Sequence, residues 1–118
     1  MKIDRDFAEE FAKHWIESWN SHDLASILSH YTDDFEMYSP LIIERMGIAE
    51  GRLQGKTEVG EYWALGLAAK PVLHFEFINV FCGVGSLIIS YKGRKGIASE
   101  AFHFNSEGKV FKAVAHYE

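Results

Sequence analysis

Glu100 lies in an alternating segment, Ile97 to Asn105, which places Ala98, Glu100, Phe102 and Phe104 on one face and Ser99, Ala101, His103 and Asn105 on the other. If helices cover the first face, a carboxylate among phenylalanines loses hydration. Its charged form is then disfavoured, and its pKa rises toward the range in which one group both gives and takes protons. If the residue sits at a sheet margin instead, the carboxylate reaches water and remains an ordinary acid. Glu100 is the candidate catalytic group. The final segment sets Phe111, Ala113, Ala115 and Tyr117 against Val110, Lys112, Val114 and His116. Two alanines between aromatics leave room for either a cavity or a close helix approach. A glycine bulge in the preceding turn would shift this parity by one residue.

Other reactive residues offer less. Six histidines raise the question of a metal, but none are spaced His-x-His or His-x-x-x-His, so no metal site is expected. His103 and His116 share the outer sheet face, where a subunit interface is the simplest use for them. His74 faces either the pocket or away from it, with Leu73, Phe75 and Phe77 as the more apolar alternating set. Ser39 lies outside any strand-turn-helix elbow and has no base beside it, so it is not a hydrolase nucleophile. Gly47, Gly51 and Gly55 do not form a phosphate loop. Trp15, Trp19 and Trp63 fall at helical spacing as core residues whose edges can still line a cavity.

The elements that position these residues are readable from period and punctuation. Phe7, Phe11, Trp15 and Trp19 recur every four residues and predict an amphipathic helix capped by Asp4 or Asp6, with Glu9 and Lys13 as an i,i+4 pair. A shorter helix follows from about Asp23, with Leu24, Ile27, Leu28 and Tyr31 on one face. Phe35 to Ser39 alternate as a short strand, which puts Met37 and Ser39 on one side, and Pro40 ends its pairing. Residues 41 to 56 lack a sustained period and are expected to form a long loop at the pocket rim. A third helix, about Thr57 to Ala68, carries Val59, Tyr62, Trp63 and Leu67 on one side and stops before Pro71. Four strands follow, about Val72 to Cys82, Gly85 to Tyr91, Ile97 to Asn105 and Lys109 to Tyr117. Helices first and a meander afterwards predict a single α+β domain over residues 1–118, in the order α-α-β-α-β-β-β-β.

A net charge of −5, from 17 acidic against 12 basic side chains, disfavours nucleic acid and acidic lipid as partners. The Lys92, Arg94, Lys95 cluster reads as a charged hairpin tip. Cys82 is the only cysteine, charges occupy the start where a signal peptide would be apolar, and no run approaches ~20 apolar residues. A cytoplasmic location is the expectation.

Trp15-Ile-Glu-Ser-Trp-Asn20 leading to Asp23-Leu, then His30-Tyr-Thr-Asp-Asp-Phe35, then Phe102-His-Phe-Asn-Ser-Glu-Gly-Lys-Val110, resembles in order and spacing the nuclear transport factor 2-like superfamily. Within it the chain is similar to the ketosteroid isomerase and SnoaL-type polyketide cyclase branch. The resemblance implies a cone of three helices wrapped by a curved, mainly antiparallel sheet, with a hydrophobic pocket inside and a homodimer formed through the outer sheet face. It places Trp15, Glu100 and Ser39 where the isomerases carry a first-helix tyrosine, a strand acid and a first-strand aspartate. Tyr117 matches their last-strand pocket aromatic, and Tyr31 with Trp63 match the tyrosine pair behind the first-helix tyrosine. Only the acid keeps its chemistry, because serine is too weak a base and an indole is a different donor. Steroid isomerisation by that set is therefore not expected.

The expected pocket is lined by Trp15, Trp19, Tyr31, Met37, Ser39, Tyr62, Trp63, Phe102, Ala115 and Tyr117, and takes a small apolar or aromatic molecule without a cofactor. Glu100 would supply acid/base chemistry of the isomerase, cyclase or dehydratase type. The alternative is a non-catalytic ligand-binding or dimerisation module, with the outer face of His103, Val114 and His116 meeting a second copy.

Overall fold

The computed structural model describes residues 2–118. Helix α1 spans Arg5–Asn20, and Asp4 caps it by accepting the Phe7 N–H at 2.9 Å. Its Phe11, Trp15 and Trp19 stripe is buried, while Glu9 pairs back to Arg5 at 3.4 Å rather than forward to Lys13. The helix ends where His22 takes a left-handed φ of 59°. Helix α2, Leu24–Leu28, is shorter than expected. Tyr31 belongs instead to the first strand, β1 (Tyr31–Tyr38), which begins well before Phe35.

The stretch expected as a long loop holds two elements. Ser39 accepts the Leu41 N–H at 3.1 Å and Pro40 occupies the first turn, which starts helix α3 (Pro40–Met46); Gly47, at φ 68°, ends it. Strand β2 (Arg52–Gln54) then returns antiparallel to β1, and Arg52 meets Glu36 at 2.8 Å. Pro40 thus does more than stop a strand. Helix α4 covers Gly55–Ala68.

Strands β3 (Glu76–Cys82), β4 (Ser86–Gly93), β5 (Gly96–Phe104) and β6 (Val110–Tyr117) complete one six-stranded sheet in the order β2-β1-β6-β5-β4-β3. All pairs are antiparallel except β1 with β6. The architecture is α+β as predicted, with four helices rather than three and six strands rather than five among the described residues. No helix among the described residues is long and apolar enough to cross a membrane.

Two parities differ from the expected ones. Phe104 pairs with Val110 but His103 pairs with Lys112, so Phe111 is an extra residue that bulges outward. Val110 therefore joins Ala113 and Ala115 on the buried face, while Phe111 is 44% exposed, its ring 6.3 Å from that of His103. On β3 the pairing slips between Phe77 and Asn79, and Phe77 lies on the sheet edge, 46% exposed, rather than alongside Leu73 and Phe75. His74 is exposed, so it faces away from the interior.

The segment entering β3 is clamped to the end of α1. Asn20 donates from Nδ2 to the Phe75 carbonyl at 2.9 Å and accepts the Phe75 N–H at 2.7 Å. His22 Nε2 lies 2.7 Å from the Leu73 carbonyl. These bonds hold the Phe75 ring against Trp15, Trp19 and Tyr91, at centroid distances of 5.6, 5.3 and 4.5 Å. Asn20→Ala leaves a half-buried backbone N–H and C=O without partners, so it should lower stability by about 1–3 kcal/mol. Urea unfolding monitored by tryptophan emission measures this, and a loss under about 0.5 kcal/mol would show that the clamp is not holding the segment.

Candidate functional site

The inner faces of β1, β4, β5 and β6 form a floor, with Trp15 and Trp19 of α1 and Tyr62 and Trp63 of α4 above it. Between them lies a hollow of about 90 Å3. Its inner end is closed by Glu100 and Met37 on the floor, both buried. Its outer end is reached through Arg45 of α3 and the β4–β5 hairpin tip, Gly93 to Gly96.

Glu100 is only 4% exposed. Register explains how it fits: across the strands it stands opposite Ile89 and Ala115, while Ala98, two residues before it, stands between Tyr91 and Tyr117. Alanine on either side of this lattice leaves space into which the two phenol rings and the carboxyl can turn. The Tyr91 hydroxyl donates to Glu100 Oε1 at 3.3 Å. Burial pushes the Glu100 pKa up to about 7, and that one hydrogen bond only partly offsets the rise.

The surrounding phenols are held neutral by the same low-dielectric interior. Burial, then the Glu100 charge, pushes Tyr117 up to about 12. Tyr91 and Tyr31 are raised well above 10 by the same two causes, and Tyr62 is raised chiefly by burial. The Ser39 hydroxyl stands beside those of Tyr62 and Tyr117. Because Ser39 accepts the Leu41 N–H while its own O–H is turned to these phenol oxygens, it is a helix cap and a donor, not a base.

Of the residues singled out from sequence, Trp15, Trp19, Met37, Ser39, Tyr62, Trp63, Glu100 and Tyr117 line the hollow. Tyr31, Phe102 and Ala115 are buried behind the lining rather than in it. Trp15 departs from the role its position implied: its indole N–H donates to the Tyr31 hydroxyl at 2.9 Å and so is not offered to a ligand. Trp19 Nε1 is buried with no hydrogen-bond partner among the described residues.

Sequence reasoning missed Tyr91, Phe75, Arg45 and Arg94 as residues of the lining. Tyr91 lies on the same alternating face as Leu87 and Ile89, a signal that the β4 segment did carry. Arg94 is more than a solvated hairpin tip. It donates to the carbonyls of Gly66 (3.0 Å), Ala69 (3.1 Å) and Pro71 (2.6 Å), which latches the hairpin to the C-terminal end of α4. Among the described residues no three His, Cys, Asp or Glu side chains converge as a metal would require.

The chain belongs to the SnoaL-like family, whose model matches residues 12–118, within the nuclear transport factor 2-like superfamily. It is similar to a SnoaL-like protein of unknown function from Burkholderia thailandensis, 50% identical over 100% of this chain and 99% of that one, with a TM-score of 0.96. At 16% identity the fold is also shared with SalBIII, described as an epoxide hydrolase/cyclase-like enzyme in pyran ring formation in the polyether salinomycin (98% of this chain, 93% of that one, TM-score 0.78). A nuclear transport factor 2-like protein of unknown function from Cytophaga hutchinsonii shares it at 11% identity (94% and 89%, TM-score 0.68). A search of curated proteins finds no match.

The raised Glu100 pKa has a definite sign in stability. Well below pH 4.5 the group is neutral whether the chain is folded or not. Between there and about 7 the unfolded chain sheds the proton while the folded one keeps it, so stability falls as pH rises. At about 1.4 kcal/mol per pH unit, the deficit reaches about 3 kcal/mol by pH 8. Glu100→Gln, which keeps an acceptor for Tyr91, should therefore gain stability relative to the parent by an amount that grows over this window. Paired urea titrations read the difference, and one that does not change with pH would mean that the carboxyl is hydrated.

Proposed function

We propose that this protein is a cofactor-independent acid/base enzyme of the SnoaL-like type, acting on a small and largely apolar molecule, with Glu100 moving the proton. The observation that carries the reading is a single carboxyl, pushed up to about 7, at the closed end of an aromatic hollow. A group with that pKa is substantially present in both forms near neutrality. As carboxylate it takes a proton from carbon next to a carbonyl or from an attacking hydroxyl. As acid it protonates a departing or ring-opening oxygen. Isomerisation, cyclisation and dehydration are each one such transfer out and one back. The cyclase-like description of SalBIII, on the same fold, is in keeping with this chemistry.

Developing negative charge on a substrate oxygen needs donors that stay protonated. Tyr117 and Tyr62 meet that need, and the Ser39 hydroxyl hydrogen-bonds with them. The indole of Trp15, tied to Tyr31, does not contribute. Deuterium exchange at the α-carbon of small cyclic ketones, followed by proton NMR, tests the assignment without a known substrate. Exchange should accelerate with pH through about 7 and then level, and Glu100→Gln should slow it by about 10²-fold or more. Accelerated exchange that survives the substitution would refute catalysis by Glu100 and favour a non-catalytic binding module.

The outer sheet face supports a second copy as partner. Phe81 pairs with Ile88, Ile88 with Ala101 and Ala101 with Val114, so these four form one apolar row across β3, β4, β5 and β6, with Phe81 54% and Ile88 39% exposed. Sedimentation over a concentration series should show a dimer that Ile88→Lys converts to monomer; a parent chain that stays monomeric at high concentration removes this proposal.

A further inference from the structure

Three basic side chains line the entrance of the hollow in a chain whose net charge is −5. Arg45, Arg94 and Lys95 all line it, from α3 and from the hairpin tip that meet there. Their availability differs. Arg94 commits its donors to the carbonyls at the end of α4, and Lys95 lies 3.4 Å from Glu44. Arg45 makes no ion pair among the described residues and stands beside the Tyr62 hydroxyl, the nearest phenol on the α4 wall. The other acid at this end, Glu118, is turned to the Ile97 N–H at 3.3 Å. An exposed guanidinium, hydrogen-bonded to Tyr62 but paired with no carboxylate among the described residues, therefore lines the opening, while the walls below it are indole and phenyl.

We propose that the hollow takes a small organic anion, a ring or short chain bearing one carboxylate, with the carboxylate held at the entrance by Arg45 and the apolar body directed inward to Glu100. This rests on the reading of the hollow as a ligand site and adds the substrate class. The orientation follows from solvation. A carboxylate is poorly accommodated among Trp15, Trp63 and Phe75, and two acids brought together at the inner end would oppose each other. At the entrance it keeps part of its hydration and gains a planar, bidentate partner that a lysine could not supply. The reacting atoms are then the neutral end of the molecule. Size is bounded as well: one water needs about 10–15 Å3 of such space, so about 90 Å3 admits a single ring with a short substituent.

Phenylacetate and phenylacetamide have nearly the same shape and differ in charge. Titrating each into the protein and following tryptophan emission, together with the indole N–H signals by NMR, should show the anion binding about tenfold more tightly or better. Arg45→Gln should abolish that preference, weakening the anion far more than the amide. In about 1 M salt, where screening acts within about 3 Å, only the anion should weaken. Equal binding of both probes, or a preference that persists in Arg45→Gln, overturns the anion assignment and leaves the hollow standing as a neutral-ligand site. Failure of both probes to perturb any indole overturns the ligand reading and this inference with it.

Discussion

Burying one ionisable carboxyl is a cost that this fold carries with no structural gain of its own. Among the described residues Glu100 makes a single hydrogen bond, long at 3.3 Å, and has no cationic neighbour in the interior to offset its desolvation. A leucine or methionine in its place would add apolar burial, at the cost of leaving the buried Tyr91 hydroxyl without its acceptor. What the fold does instead is arrange small residues around it. Ala98 and Ala115 on adjacent positions of the lattice keep the floor low where Tyr91, Tyr117 and the carboxyl gather, and the helix aromatics close over the space rather than fill it.

That arrangement depends on fastenings distant from Glu100 in sequence. Asn20 fixes Phe75 and with it the stack of Trp15, Trp19 and Tyr91 that walls one side. Arg94 fixes the hairpin tip to the end of α4 on the other side, so one flank of the entrance is held by bonds from a side chain to main-chain carbonyls. Ser39 links the two roles, since the hydroxyl that starts α3 also stands among the pocket phenols. A change in the α3 cap would therefore be felt at the site.

Much of this was legible from residue types and spacing. The period-four stripe of α1 and the strict alternation of β5 are long, regular patterns, and they placed Trp15, Trp19, Glu100 and Phe102 on the correct inner faces. Patterns shorter than about two turns carry no period to read. Helix α3 is seven residues long and was visible only through its punctuation, Ser39-Pro40 at one end and Gly47 at the other. The Phe111 bulge reversed the outward parity at the start of β6 because a single inserted residue leaves no mark in composition. Tyr91 could be placed on a face but not beside Glu100, because that contact depends on the register set by the Gly93–Gly96 hairpin. Arg94 gave no signal at all, since its partners are main-chain carbonyls some 25 residues away.

The fate of Trp15 narrows where chemistry in this hollow can arise. Its indole N–H is committed to Tyr31, a residue that lies behind the lining, so Trp15 presents only ring surface to the interior, and the one indole N–H that α1 leaves unpaired among the described residues is that of Trp19. The hydroxyl and carboxyl groups enter from two directions, the sheet, through Glu100, Tyr91 and Tyr117, and the α3–α4 side, through Ser39 and Tyr62 with Arg45 beside them. A molecule held between them would have its proton exchanged from below and its oxygen met from the side, with the α1 indoles acting as an apolar roof that keeps water from competing for either group. Reactions that place acid and acceptor at an angle, rather than on opposite faces of the substrate, are the ones this geometry suits.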